Sequence, residues 1–390
     1  MKVVNIPVFV GSLLILVFSI SCNHSDTRLQ SSIETRASLG EMLFNDVTLS
    51  KDGSQSCASC HDGDHAFIDP RVNLTSTEVA TPGAVSTGQD DISLGDINTP
   101  SVAYTAFVPA FHYDSEEGLF KGGLFLNGRV SNLLEQAKQP LLNPVEMQNT
   151  KENVVASVMA KYADSMVHLY GKSIFDTTEA AFNAVADSIA AFEQTEKFAT
   201  FDSKFDKVLI GEAVFSDEEQ RGLDLFKDEN KGNCAACHPV PEIDSAKGSR
   251  LFTDFSYDNL GVPKNKLARA HNNKEADYVD IGLLNNPAVD DTDLKGAFRV
   301  SSLRNVAVTA PYMHNGVFGD LATVVHFYNS RDVSGALNPE TLTVWDVAEI
   351  DSTKNLEELG SLGLSNDEIN AIVAFLKTLT DNRYEHLIDN

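Results

Sequence analysis

The sequence predicts an all-α protein made of two tandem copies of one small helical domain. Three observations carry that expectation. Apolar residues recur at helical spacing in the long segments, no stretch alternates as a strand does, and the second half repeats landmarks of the first in the same order. With 390 residues and 42% hydrophobic content, the chain is long enough for two ordinary cores.

At the start, Lys2 precedes an apolar run that includes Leu13, Leu14, Ile15, Leu16, Val17 and Phe18, so residues 1–21 read as an export signal. The run ends in Ser19, Ile20, Ser21 and Cys22. Cys22 is expected to carry lipid, as in bacterial lipoproteins, although Ser19 stands where those signals prefer Leu. Simple cleavage and an uncleaved anchor are the alternatives. Residues 22–35 are polar enough to be a tether. The protein is thus expected to be exported to the periplasm and held at a membrane through Cys22.

The first domain is expected over 36–210 and the second over 211–390. The boundary falls near Gly211, where a polar stretch from Thr195 gives way to a helix capped by Ser216 and Glu219. Within the first domain, Phe182, Val185, Ile189 and Phe192 recur at helical spacing. Ile369, Ile372, Val373, Leu376 and Leu379 do the same near the end of the chain, behind a capping box of Ser365 and Glu368.

The repeated landmarks are specific. Gly40-Glu41-Met42-Leu43-Phe44 matches Gly222-Leu223-Asp224-Leu225-Phe226, and Asn98-Thr99-Pro100-Ser101-Val102 echoes Val300-Ser301-Ser302-Leu303. Asn127-Gly128 before Leu133 matches Asn315-Gly316 before Leu321. Duplication of one domain explains the correspondence. The halves differ most between Pro109 and Asn127, where the first carries extra residues that include His112, Tyr113 and Gly122-Gly123; these read as a loop.

The strongest signal is Cys57-Ala58-Ser59-Cys60-His61, repeated as Cys234-Ala235-Ala236-Cys237-His238. One CxxCH is expected by chance only about 0.002 times in a chain of this composition, so two are not coincidence. Two thiols on about one helical turn can add to the two vinyl groups of one haem while the next residue reaches its iron. The motifs therefore imply two c-type haems and two cytochrome c-type domains, with His61 and His238 as proximal iron ligands. A zinc site would need its four ligands gathered together, whereas these pairs lie in separate halves.

A net charge of -26 argues against nucleic acid and anionic lipid as partners. It serves solubility and equally suits a basic electron donor.

Taken together, LFNDVTLSKDGSQSCASCHD, NTPS, NGRVSNLLEQAKQPLLNPVEM, FDSKFDKVL, RGLDLF, SSLRNVAVTAPYMHNG and IVAFLKTLTD make the chain resemble the bacterial di-haem cytochrome c peroxidases. Their relative, a methylamine-utilisation di-haem enzyme that oxidises tryptophans of a partner protein, falls within the same resemblance. It runs from about Leu39 to Asp381.

By that resemblance, Glu146 matches the family's distal acid beside the first haem and Gln136 the glutamine near it. A carboxylate there suits the proton transfer that splitting an O–O bond requires. Asn98, Thr309 and Pro311 fall where the family binds calcium between the domains; without the family, they would read as turn formers. Tyr328 stands where many members place a ligating Met, and the methylamine-utilisation enzyme also has Tyr there. Tyr328 is expected to hold the second iron, with Met313 the alternative ligand and Tyr328 then a packed core residue. Leu126 replaces the Trp that the family places between the haems, and the chain's one tryptophan is Trp345.

Between Phe67 and Asn98 there is no His to serve as distal ligand. The first haem is expected to be open to peroxide, with His112 the alternative ligand and His65 at a propionate or in solvent.

The function expected is reduction of hydrogen peroxide at the first haem. Electrons would reach the second haem from a small cytochrome c, a cupredoxin or a quinol-chain component, and a homodimer is compatible with the sequence. The alternatives are an oxidative maturation enzyme, which Tyr328 supports and Leu126 disfavours, and a non-enzymatic electron carrier.

Overall fold

The computed structural model of the chain describes residues 35–71 and 85–388, apart from 244, 273 and 276. The expected export signal, Cys22 and nearly all of the tether lie outside the described residues. No helix of the described residues is long and apolar enough to cross a membrane.

The described chain is mostly helical. The first half holds α1 (Arg36–Phe44), α2 (Cys57–Cys60), α3 (Leu133–Leu142), α4 (Lys151–Tyr170) and α5 (Thr178–Glu193). After α6 (Lys204–Leu209) come α7 (Asp217–Lys227), α8 (Lys266–His271), α9 (Leu321–Ser330) and α10 (Asn366–Lys377). Capping boxes start α7 and α10: Ser216 and Ser365 accept the N–H of Glu219 and Glu368, whose carboxylates accept back from the serine N–H groups.

Two large apolar clusters dominate the described residues. One is drawn from Leu39 to Phe198, the other from Phe205 to Leu379. Each is organised by one helix crossing, α1 on α5 and α7 on α10, and the repeated Gly…Phe motif explains both. A Cβ on Gly40 would lie 1.9 Å from the Ser188 carbonyl oxygen, and one on Gly222 would lie 1.9 Å from that of Ala371. Only a residue without a side chain lets the backbones approach so closely. One turn further on, Phe44 packs edge-on against Phe192 at 5.5 Å and Phe226 against Phe375 at 5.2 Å.

The all-α expectation needs one correction. The extra residues of the first half are not a plain loop but an antiparallel hairpin, β1 (His112–Asp114) with β2 (Leu119–Lys121). A second short ladder pairs β3 (Tyr257–Asp258) with β4 (Phe298–Arg299). Strands of two or three residues are too short to show alternation, so the sequence pattern could not reveal them.

Candidate functional site

In the first half, Cys57 and Cys60 occupy one turn of α2, and His61 follows at its end. Phe67, held at a positive φ of 58°, turns its carbonyl toward the ring, and His61 Nδ1 donates to it at 3.1 Å. The second half repeats the device. Phe252 has a φ of 53°, and His238 Nδ1 donates to its carbonyl at 2.7 Å. A carbonyl only accepts, so in both rings the proton sits on Nδ1 and Nε2 is left as the basic atom, the tautomer an iron ligand requires. Burial lowers both histidines' affinity for a further proton.

The four cysteines are free. Burial pushes Cys60 up to about 11 and Cys234 and Cys237 up to about 12, and Cys57 is raised by the same cause. Neutral thiols along an apolar wall suit addition to vinyl groups. They do not suit thiolate binding of a bare metal, which wants lowered values. Among the described residues, no cluster of three or more His, Cys, Asp or Glu could hold a metal ion. The residues present therefore fit one covalently held haem in each half.

Glu146 follows α3 in the Asn143–Glu146 turn, whose closure brings its carboxyl back to Asn143 Nδ2 at 2.5 Å. It is close enough to the first CxxCH motif for its charge to act on both Cys57 and Cys60. Burial raises its affinity for a proton, while Asn143 and the guanidinium of Arg129 oppose the rise. Asn143 and Arg129 were not picked out from the sequence. The signal for Asn143 was its spacing before Glu146; Arg129 gave none beyond following Asn127-Gly128. Arg129 is itself fixed by Gln139 and Asn127, at 3.1 Å each, and lies over the Phe125 ring. Gln136 sits half-buried on α3 and supplies none of the hydrogen bonds that hold Glu146.

His112 is exposed on β1, with Nδ1 on the Ala110 carbonyl at 2.9 Å. Its hairpin packs toward the second half through Phe111 and Tyr257, whose ring centroids are 6.0 Å apart. His65 pairs with Asp62 at 3.0 Å.

In the second half, Cys234, Cys237, His238, Met313 and Tyr328 line one cavity of about 340 Å³. Tyr328 lies on α9, near the Leu321 and Val325 side chains that share the wall. Burial raises the pKa of its hydroxyl. Leu126 and Asn98 enter the same cavity from the first half, and Thr309 and Pro311 line it from the second. The Asn98 N–H donates to the His314 carbonyl at 2.8 Å, which draws the first half's NTPS segment onto the PYMHNG segment. Trp345 does not line this cavity but packs in the apolar cluster that also takes Tyr328 and Met313, its ring 5.3 Å from Phe327 and its N–H on Ser330 Oγ at 3.1 Å.

Comparison with known proteins places these features in context. The model of the family described as di-haem cytochrome c peroxidase matches residues 34–214. Over 360 residues the chain is 45% identical to the methylamine utilization protein MauG of Paracoccus denitrificans, covering 90% of each. It is 29% identical to the cytochrome c551 peroxidase of Nitrosomonas europaea, over 89% of this chain and 80% of that protein. The structure of the di-haem peroxidase BthA from Burkholderia thailandensis superposes with a TM-score of 0.79 at 30% identity, covering 91% of this chain and 88% of that one.

Proposed function

The chain belongs to the di-haem cytochrome c peroxidase family, and on that footing we propose that it reduces hydrogen peroxide to water with electrons from an external donor. Cys57, Cys60 and His61 would hold the first haem, and Cys234, Cys237, His238 and Tyr328 the second. When bound, the haems supply iron that takes up peroxide and passes electrons.

One observation carries the reading: Glu146, an enclosed carboxyl with raised proton affinity, stands beside the first motif with one oxygen fixed by Asn143. Its other oxygen can take a proton from one peroxide oxygen and return it to the other, the transfer that lets the O–O bond part to give water. Arg129 keeps the carboxyl able to release that proton. Gln136 would orient the peroxide. Asn98, Thr309 and Pro311, which line the same cavity, would offer oxygen ligands to a calcium ion between the halves.

We place the protein in the periplasm, held through a lipidated Cys22. Its acidity suits a basic donor such as a small cytochrome c or cupredoxin.

A second reading, oxidation of a partner protein, is favoured by the 45% identity to MauG and by Tyr328. Leu126, where the family has Trp, weighs against it. Mixing the haem-loaded protein with peroxide and a reduced small cytochrome c separates the two. Continuous oxidation of the cytochrome, matched by peroxide loss, is expected. A protein that consumes peroxide once, holds the oxidising equivalents and leaves the cytochrome reduced would overturn the peroxidase reading in favour of the second.

A further inference from the structure

The cavity of the second half contains a cation that forms no ion pair among the described residues. Arg299, on β4, lines the wall that Cys234, Cys237 and His238 also line. Its backbone is fixed from two sides: the N–H donates to the Leu126 carbonyl at 2.9 Å, and the residue pairs with Tyr257 across the β3–β4 ladder. The side chain is not so provided. Its Nε is buried with no hydrogen-bond partner, and none of the ion pairs among the described residues includes it.

The other charged groups on these walls each have a partner of their own, and none of the acids forms an ion pair with Arg299 among the described residues. Asp258 and Glu358 accept from Asn355, at 2.6 and 2.8 Å. Glu349 takes Arg269 at 3.3 Å through one oxygen, its other oxygen being buried without a partner, and Asp280 accepts the Gly282 N–H at 2.9 Å. Arg304 is held by both oxygens of Asp206. His314, stacked on Phe298, is driven down to about 3 and is neutral. Tyr257 donates its hydroxyl to the Gly122 carbonyl and is no anion. A guanidinium enclosed without an anion is strongly unfavourable, so an anion of the missing group is the natural complement.

Resting on the haem assignment above, we propose that Arg299 is the counter-cation of the second haem, pairing with one of its propionate carboxylates. The planar guanidinium suits a carboxylate. A fixed positive charge there favours the state with one more electron, and so opposes the fall in potential that a phenolate ligand brings. Arg299 is a positioning and tuning residue. It keeps the second centre reducible by the donor.

The test compares Arg299→Gln and Arg299→Lys with the parent protein, all shown by mass to carry two haems, in a redox titration followed optically. In Arg299→Gln, the second haem's midpoint potential is expected to fall at mildly alkaline pH and to recover toward the parent at mildly acidic pH, as a proton replaces the lost cation. Arg299→Lys should track the parent, and the first haem should move little in either. A second-haem potential in Arg299→Gln equal to the parent's at both pH values would overturn the proposal. If Arg299→Gln does not fold, the propionate deformation band in the resonance Raman spectrum decides. It should shift between the parent and Arg299→Lys, and an unchanged band would overturn the pairing. A parent protein with fewer than two haems would instead refute the haem assignment on which the proposal rests.

Discussion

In the proposed reaction, proton transfer rests on one carboxyl, that of Glu146. Glu146→Gln preserves its shape and the haem anchors but cannot accept a proton, so peroxide turnover is expected to drop about 100 to 10,000-fold. Steady-state peroxide consumption at matched haem content checks this, and a loss under about threefold would remove Glu146 from the mechanism. Tyr328→Met should raise the second haem's potential, because a thioether favours ferrous iron where a phenolate favours ferric. Unchanged optical and spin-resonance signals at that haem would return Tyr328 to the role of a packed core residue and make Met313 the ligand to test. Glu193 is a buried acid outside the proposed chemistry. It sits at the end of α5 with one carboxyl oxygen unpartnered, and burial raises it from 4.5 to about 8. The folded protein therefore holds this proton where the unfolded chain releases it, and stability declines as pH rises from about 4.5 to about 8. At about 1.4 kcal/mol per pH unit the full effect is several kcal/mol. Glu193→Gln should flatten that decline in denaturant unfolding. Parallel pH profiles for parent and variant would show that Glu193 does not cause it.

The helix crossings show what a repeated sequence motif is for. Gly40 and Gly222 permit the same close approach in each half, and a Cβ added to each would come within 2.9 Å of the Phe192 Cβ and 2.8 Å of the Phe375 Cβ on the partner helix. Gly222→Ala should force α7 away from α10 and cost about 1–3 kcal/mol or more, since overpacking a close-packed crossing strains both helices. Thermal unfolding of Gly40→Ala and Gly222→Ala checks this. A melting temperature within error of the parent for either would mean that its crossing can open at little cost. The caps of α7 and α10 were legible because Ser and Glu at that spacing satisfy each other's backbone donors whatever surrounds them. The box of Ser203 and Asp206 at α6 was missed; its acid is also bound by Arg304 from a distant segment, a contact that local pattern does not contain.

Across the whole molecule, the halves are joined by a buried polar network. Tyr104 of the first half donates to Asp381 at 2.5 Å, and Asn305 donates to the other oxygen of the same carboxylate at 2.9 Å. Beyond it, Tyr384 reaches the Gly63 carbonyl in the loop after His61 at 2.9 Å. Tyr104→Phe is expected to cost about 1–3 kcal/mol by leaving Asp381 short of a donor. It should also separate the unfolding of the two halves, seen as two transitions where haem absorbance and far-ultraviolet dichroism no longer coincide. A single coincident transition at the parent's midpoint would show that the network does not couple them.

By itself, the sequence determined what local chemistry dictates: helices, caps, the repeat, and two covalent haem sites. Each of these is set by residues within a few positions of one another, so spacing alone reveals them. Only the tertiary structure decided what long-range closure controls. It set the tautomers of His61 and His238 through the carbonyls of Phe67 and Phe252, and it held Glu146 between Asn143 and Arg129. It also put His112 on an exposed hairpin and left the buried Nε of Arg299 without a hydrogen-bond partner. Burial and partner choice depend on which distant segments meet, and no pattern along the chain records that meeting.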